Sequence, residues 1–154
     1  MASSTGYTTS SEDRSRVEAL NKASRIVDST KNDPQTISSI LRQLKSVEIE
    51  SGTQKYVLIQ AIDPSSDAEV YFVRGNSSAR YHVEAAQALV DFFLEKGINH
   101  KVTGGGRISY NASEKVIKIY GYSYSFGRAD HSITSELCNK AFPQHIISWS
   151  NEGY

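Results

Sequence analysis

The stretch Tyr81-His-Val-Glu-Ala-Ala-Gln-Ala-Leu-Val-Asp-Phe-Phe-Leu-Glu-Lys96, which Gly97 follows, has the pattern of an amphipathic helix. Apolar side chains that include Leu89, Val90 and Phe93 recur on one face, and glycine often ends a helix because it accepts a left-handed backbone. An apolar face of this width is stable only when another layer covers it. The stretch therefore predicts a helix that packs on a sheet.

The segments around this helix have the apolar and β-branched composition of strands. Two precede it and four follow it: Lys55–Ile62, Ala68–Val73, Ile98–Val102, Arg107–Tyr110, Val116–Tyr122 and Gln144–Ser150. A further helix is predicted from Asp130 or Ser132 to about Ala141. Hairpins combined with a helical crossover predict an α+β fold (α/β sandwich), in which a mixed six-stranded β-sheet has helices packed on its faces.

The N-terminal part of the chain has a different character. Residues 1 to 11 are rich in Ser, Thr and Gly and have little to bury, so we expect a mobile tail. A charged helix with Val17 and Leu20 on one side is predicted from Glu12 to about Asp28. Asp33-Pro34 has the pattern of an N-cap followed by the first helical residue and predicts a second helix, which ends near Lys45.

The charge balance and the cysteine count exclude several classes of protein. Seventeen Lys and Arg residues balance seventeen Asp and Glu residues, so the strongly basic character of many nucleic-acid-binding proteins is missing. Cys138 is the only cysteine, which excludes an internal disulfide and a cysteine-rich zinc site. No apolar run approaches the roughly 18 residues of a membrane span, and the N-terminus has no apolar signal segment. We expect a cytoplasmic protein with no nucleic-acid or membrane partner.

Gly104-Gly105-Gly106-Arg107 lies between two predicted strands and has two interpretations. Three glycines let the backbone approach a ligand closely, and the guanidinium of Arg107 offers a planar set of donors that suits an oxyanion. The same residues fit a flexible hairpin with a surface arginine, which the pattern alone favours. Neither a P-loop nor a dinucleotide fingerprint is present, because no Gly-Lys-Ser/Thr and no helix follow the glycines.

The segment Gly121-Tyr-Ser-Tyr-Ser-Phe-Gly127 connects a predicted strand to a predicted helix. Its amides, the hydroxyls of Ser123 and Ser125 and the N-terminus of the following helix suit an anion-binding concavity. An ordinary strand-to-helix connection fits the spacing equally well. The pattern leaves both interpretations open.

Four histidines are candidates for acid-base chemistry. His82 begins the clearest helix on the same stripe as its apolar residues, so its ring is expected to point toward the sheet. A helix N-terminus disfavours positive charge and helps to keep this ring neutral and basic, as a general base requires. A buried histidine with a purely structural role has the same pattern. His131 opens the last helix with the same ambiguity, whereas His100 and His145 have the pattern of surface residues.

Several motifs occur here in the same order as in a known family. They are Lys55-Tyr-Val-Leu-Ile59, Val73-Arg-Gly75, Tyr81-His82, Gly104-Gly-Gly-Arg-Ile-Ser109, Lys118-Ile-Tyr-Gly-Tyr-Ser123, Phe126-Gly127, Ala129-Asp-His131 and the closing Trp149 to Tyr154. From about Val47 onward the chain closely resembles the small eukaryotic phosphohistidine phosphatases and the related insect janus and ocnus proteins. The resemblance divides the chain into a tail and helical extension, residues 1–46, and a phosphohistidine phosphatase-like domain, residues 47–154.

The resemblance implies a metal-independent protein phosphohistidine phosphatase, a monomer that hydrolyses the P–N bond in phosphohistidine-containing proteins without a cofactor. By position, it implies that His82 is the catalytic general base or nucleophile and that Arg107 is the phosphate clamp. It also implies supporting phosphate contacts from a set of cations, glycine and loop residues: Lys55, Arg74, Gly106, Ser123, Tyr124 and Ser125. By position alone, Lys55 and Arg74 are typical of solvated residues at strand edges. Arg80 and Ser125 depart from the mammalian-type enzymes, which carry an acidic residue and an alanine at these positions.

The same resemblance leaves an alternative function open, a catalytically weak phosphate- or phosphoprotein-binding module of the janus/ocnus type. Such a module needs Arg107 but not a base, so the presence of His82 with it favours the enzyme. The helices within residues 1–46 carry few apolar residues, and we expect them to be an appendage packed loosely on a domain that is complete without them. A chain that starts near Val47 is expected to fold and to keep most of its activity.

Overall fold

The computed structural model describes residues 10–153. These residues form four helices, namely α1 (Ser11–Arg25), α2 (Pro34–Gln43), α3 (His82–Lys96) and α4 (His131–Ala141). They also form six strands, namely β1 (Val47–Glu48), β2 (Gly52–Asp63), β3 (Ala68–Asn76), β4 (His100–Asn111), β5 (Val116–Tyr120) and β6 (Ile146–Trp149). The predicted start of α2 is confirmed, because the Asp33 carboxylate accepts a 2.8 Å hydrogen bond from the Thr36 amide as an N-cap does.

The strands form one mixed sheet in the order β1-β3-β2-β4-β5-β6. The three inner pairs are antiparallel, and the two outer pairs, β1 with β3 and β5 with β6, are parallel. The long strands β2 and β4 pair at the centre, and a register shift at Leu58/Ile59 interrupts their ladder. The predicted α+β fold with a mixed six-stranded sheet is confirmed.

Strand β4 corrects the prediction of a hairpin at the glycines. The predicted strands Ile98–Val102 and Arg107–Tyr110 belong to one continuous strand, which runs through Gly104-Gly105-Gly106. The sixth strand of the sheet is instead β1, which has only two residues and therefore shows no periodicity in the sequence. The predicted number of strands is right, although the hairpin was wrong and β1 was missed.

Helices cover both faces of the sheet and divide the core in two. Successive residues of a strand point to opposite faces. Val57 and Ile59 of β2 therefore pack with α1, α2 and α3, whereas Tyr56 and Leu58 pack on the face that α4 covers. By the same alternation, Lys55 lies on the face of α3.

The two N-terminal helices belong to the first of these cores. Val17 and Leu20 of α1 and Ile37 and Leu41 of α2 are buried there together with the apolar face of α3. This burial does not match the loose packing that the sequence analysis expected. The domain boundary at residue 47 stays a prediction, to be tested with a chain that starts there.

The mobile tail predicted from the sequence falls mostly on residues 1–9, which lie outside the described residues. None of the helices within residues 10–153 combines the length and the apolar character that crossing a bilayer requires.

Replacing Leu20 with alanine tests whether α1 is an integral part of the core. Leu20 is 4% exposed, so Leu20→Ala should lower the free energy of unfolding by about 2–5 kcal/mol. Ile26, at the end of the same helix, is 76% exposed, and Ile26→Ala should change that free energy by less than about 0.5 kcal/mol. Urea unfolding followed by circular dichroism measures both. Equally small effects would mean that α1 is a loose appendage.

Candidate active site

The glycine segment of β4 lets two histidine rings lie against bare backbone. A Cβ atom added at Gly105 would lie 2.8 Å from Cδ2 of His82 and 2.8 Å from the carbonyl oxygen of Tyr56. A Cβ atom added at Gly106 would lie 2.6 Å from Cε1 of His131, on the opposite face. Atoms of folded proteins do not pack this closely. Glycine is therefore required here for close packing and not for flexibility.

His82 is the first residue of α3 and is buried against β4. Its Nε2 lies 2.9 Å from the carbonyl oxygen of Gly106. A carbonyl oxygen only accepts hydrogen bonds, so Nε2 carries the proton and donates. In the neutral ring the lone pair is then on Nδ1, which is the nitrogen that can take up a proton.

Burial keeps the His82 ring neutral. The pKa of His82 is lowered to about 4, mainly by burial and to a smaller extent by the positive charges of Lys55 and Arg107. The hydrogen bond to Gly106 acts in the opposite direction. At neutral pH the ring is therefore in its basic form, as the sequence analysis expected for a histidine at this helix N-terminus.

Lys55 and Arg107 are direct cross-strand partners on β2 and β4 and lie on the same face as His82. Like charges placed opposite each other destabilise a sheet unless something balances them. Burial and the charge of Arg107 lower the pKa of Lys55, whereas Asp13 and Glu84 raise it. The pair is a concentrated positive site beside a neutral base.

The loop between β5 and α4, residues 121–130, closes the site beside β4. The amide of Gly105 donates a 3.0 Å hydrogen bond to the carbonyl oxygen of Gly127, which attaches the loop to the glycine segment. Ser123 is buried, and its Cβ lies 3.0 Å from the position that a Cβ of Gly105 would take. This places Ser123 next to the His82 ring.

Ser125 and Tyr124 lie farther along this loop, where it meets α1. Tyr124 is exposed, and Oγ of Ser125 donates a 2.7 Å hydrogen bond to Oδ2 of Asp13 in α1. Asp13 is buried, so a carboxylate from the N-terminal helix borders the site. Asp13 was not among the site residues predicted from the sequence. Asp13 lies four residues before Val17 and therefore on the same side of the helix, and this spacing could have predicted its burial.

The contacts of Arg74 are directed away from this cluster. Its Nη atoms donate to the carbonyl oxygens of Lys45 at 2.8 Å and Val73 at 2.9 Å, and its Nε lies 3.5 Å from a carboxylate oxygen of Glu48. Burial lowers the pKa of the guanidinium, and the charge of Glu48 opposes that effect. These contacts attach β1 to β3, and a phosphate contact of Arg74 stays a prediction.

His131 and the N-terminus of α4 lie on the opposite face of β4. Nδ1 of His131 is 2.6 Å from the hydroxyl of Tyr56, and Nε2 is 2.8 Å from the carbonyl oxygen of Gly121. Asp130 caps α4 by accepting a 3.1 Å hydrogen bond from the amide of Ser132. The helix N-terminus beside the two cations is that of α3, and an anion-binding role of the loop before α4 stays a prediction.

His100 is buried, so its prediction as a surface residue was wrong. Helix α1 covers this end of β4, and Oγ of Ser24 lies 2.8 Å from Nε2 of His100. Nδ1 of the ring is also 2.8 Å from the carbonyl oxygen of Ile98, two residues before β4 begins. The burial comes from a helix that is distant in the sequence.

Cys138 does not supply a thiolate to the site. Burial raises the pKa of its thiol to about 12, so the thiol is protonated at neutral pH. As for metal ligands, residues 10–153 contain no group of three or more His, Cys, Asp or Glu side chains arranged to hold an ion.

Comparison with known proteins identifies the family. The model of the Janus/Ocnus family matches residues 41–146. A 14 kDa phosphohistidine phosphatase of Sus scrofa is 38% identical over 120 residues, which cover 74% of this chain and 95% of the relative. The 14 kDa phosphohistidine phosphatase of Homo sapiens is 35% identical over 120 residues, with 74% and 96% covered. The sex-regulated protein janus-A of Drosophila mauritiana is 38% identical over 103 residues, with 67% and 76% covered.

The chain belongs to the Janus/Ocnus family, which confirms the resemblance seen in the sequence.

Burial of His82 predicts an unusual titration. We expect its ring to take up a proton with a midpoint near pH 4 instead of 6.5. Between these values the unfolded chain binds a proton that the folded chain does not, so this group should reduce stability as the pH falls from about 6.5 toward 4. Proton NMR of the ring Cε1–H, assigned with His82→Asn, measures the midpoint. A midpoint near 6.5 would show that the ring is solvated.

Proposed function

We propose that this chain is a protein phosphohistidine phosphatase that hydrolyses the P–N bond of phosphohistidine without a metal ion. The observation that carries the proposal is the pairing of Lys55 with Arg107 across β2 and β4, beside the neutral ring of His82. Paired cations attract a phosphoryl group, and a neutral imidazole beside them accepts a proton. The names of the pig and human relatives support phosphohistidine-containing proteins as the substrates.

Arg107 is the proposed phosphate clamp, and Lys55 is the second cation. A planar guanidinium binds two phosphoryl oxygens at once, whereas an ammonium acts as a point charge. In the loose transition state of phosphoryl transfer, catalysis depends mainly on positioned charges around the equatorial oxygens. Ser123 and the backbone of Tyr124 and Ser125 are proposed to complete the set of donors.

His82 is proposed to act through Nδ1 by one of two routes. As a general base it takes a proton from the water whose oxygen attacks phosphorus. As a nucleophile it attacks phosphorus itself, and water then hydrolyses the phosphorylated ring. In both routes the P–N bond of the substrate breaks and its electron pair goes to the departing ring nitrogen. With a pKa of about 4 the free ring is a weak base, and the negative charge of a bound phosphoryl group raises that pKa.

A second candidate function is a phosphate- or phosphoprotein-binding module with little turnover. The relatives named sex-regulated protein janus-A favour it, because that name states no enzymatic activity. The two candidates differ in what they require of His82. Binding requires the two cations, whereas turnover requires the ring as well.

Replacing His82 tests the enzyme directly. His82→Asn should lower kcat at least roughly 10²-fold, the usual contribution of a general base, with little change in phosphate affinity. Phosphate release from a phosphohistidine peptide, with a chelator present, measures turnover. His145→Asn, which alters a half-buried histidine, is the matched control. Near-normal turnover by a folded His82→Asn variant would remove His82 from the mechanism.

The wild-type arms of this assay separate the remaining alternatives. Turnover that a chelator abolishes and Mg²⁺ restores would contradict the metal-independent mechanism. Phosphate binding without turnover would favour the binding module. An alkaline quench during turnover distinguishes the two routes, because only nucleophilic attack leaves a phosphoryl group on His82.

Replacing Arg107 tests the clamp. Arg107→Ala should weaken phosphate binding and kcat/KM together, by about 10- to 100-fold, because a charge-assisted hydrogen bond to the phosphoryl group is lost in ground and transition states. Arg107→Lys should recover only part of this loss. Lys101→Ala removes an exposed cation from the same strand and controls for net charge. Calorimetry with inorganic phosphate and the peptide assay measure both quantities, and full activity of Arg107→Lys would rule out two-point binding.

A further inference from the structure

Asp13 is a buried carboxylate in the first turn of α1 that borders the candidate site. The residue is 3% exposed, and its Oδ2 accepts the 2.7 Å hydrogen bond from Ser125. A carboxylate is rarely buried unless hydrogen bonds and positive charge compensate for the lost water. The loop serine supplies a hydrogen bond, and Lys55 supplies positive charge.

Helix capping does not explain why Asp13 is buried. An acidic residue in the first turn of a helix stabilises that helix while it is exposed to water, as its neighbour Glu12 is. The amide of Asp13 is already capped by Oγ of Ser10 at 3.1 Å. The carboxylate of Asp13 instead points away from its own helix to the loop residue Ser125.

The first turn of α1 is held across the site from two sides. On the α3 side, Glu12 lies 3.4 Å from the hydroxyl of Tyr81 and 3.4 Å from a guanidinium nitrogen of Arg80. On the loop side, Asp13 accepts the hydrogen bond from Ser125. Arg80 and Tyr81 directly precede the candidate base in the sequence. Adjacent carboxylates of α1 therefore connect the start of α3 with the loop.

The charge of Asp13 reaches Lys55, the second cation of the site. It is one of the two negative charges that raise the pKa of Lys55, against the lowering effects of burial and Arg107. A fixed negative charge in this position weakens the attraction of the site for any phosphate dianion. This charge also balances the paired cations, but toward a substrate it is favourable only where another part of that substrate is positively charged.

A cavity of about 330 Å³ opens on the outer side of the contact between Asp13 and Ser125. Its walls come from the loop and from α1: Tyr124, Ser125, Arg14, Val17, Glu18 and Asn21. This volume is within the range of ligand pockets. The cavity therefore adjoins the same loop residue, Ser125, that contacts Asp13.

We propose that Asp13 is a specificity-determining residue, whose negative charge favours substrates with a protonated nitrogen base as leaving group over substrates that release an oxyanion. This inference rests on the proposed function and names the substrate property that the site selects. Phosphohistidine with its second ring nitrogen protonated carries a positive charge on the ring, and a buried negative charge nearby stabilises that reactive form.

The two leaving groups differ in charge during the reaction. When the P–N bond of the protonated substrate breaks, its electron pair goes to the ring nitrogen, the oxygen of water bonds to phosphorus and a neutral imidazole leaves. The proton of the water passes to His82 and then to solvent. When the P–O bond of an aryl phosphate breaks, the electron pair goes to oxygen, and Asp13 repels the developing phenolate.

Asp13→Asn tests the inference, because it removes the charge while the amide oxygen still accepts a hydrogen bond from Ser125. The ratio of kcat/KM for a phosphohistidine peptide to kcat/KM for para-nitrophenyl phosphate should fall about tenfold, and inorganic phosphate should bind about threefold to tenfold tighter by calorimetry, as one charge in a partly buried site predicts. Glu136→Gln removes the same charge from an exposed position of α4, on the opposite face of the sheet, and should leave both quantities unchanged.

A fall in the ratio supports the inference. An unchanged ratio would overturn the inference. If kcat/KM rises equally for both substrates, the ratio is unchanged and Asp13 only competes with phosphate. If Asp13→Asn does not fold, Asp13→Ser is a second uncharged variant with a side chain suited to the first turn. A wild-type chain that hydrolyses neither substrate refutes the proposed function, and an unchanged phosphate Kd in the variant overturns the inference in that case too.

Discussion

Strand β4 has no side chains from Gly104 to Gly106, so everything that packs there meets bare backbone. The ring of His82 lies on one face of this segment and the ring of His131 on the other, where added Cβ atoms would come within 3 Å of them. The loop after β5 attaches to the same segment through Gly127. The next residue with a side chain is Arg107, which lies close to the ring of His82. The site depends on this close approach, because any larger residue in the segment would separate the base from its carbonyl partner and from the loop.

Burial and charge together control the protonation of His82 beside that segment. Burial deprotonates His82, and the half-buried cations Lys55 and Arg107 reinforce the neutral state. An arriving anion neutralises the cations and favours protonation of the ring, so the base gains strength when a substrate is in place. Asp13 adds an opposing charge from a helix that lies before the family match at residues 41–146. The part of the chain that is shared with the family and the part that precedes it therefore meet around one group of charges.

Periodic segments were predictable from the sequence, because a helix with one apolar face has few ways to pack. The inward position of His82 followed from that argument. The prediction of a hairpin at the glycines was wrong, because glycines have no side-chain pattern. Their role in β4 is to leave room for atoms on both faces. Arg74 and His100 have the sequence pattern of solvated residues but are buried, because β1 and α1, which cover them, are remote in the sequence. The spacing of Asp13 from Val17 indicated that Asp13 lies on the buried side of α1. Its partner Ser125 is 112 residues away, and no local rule connects the two.

The sheet ends at both sides on its shortest strands. The edge strands β1 and β6 have two and four residues, whereas β2 and β4 at the centre have twelve each. Unpaired main-chain groups along an edge are the template on which another molecule adds a strand, and short edges leave few of them. Next to β1, the carbonyl oxygen of Lys45 is already bonded to the guanidinium of Arg74. The folded chain is therefore protected against edge-to-edge aggregation, even though strands make up much of its core.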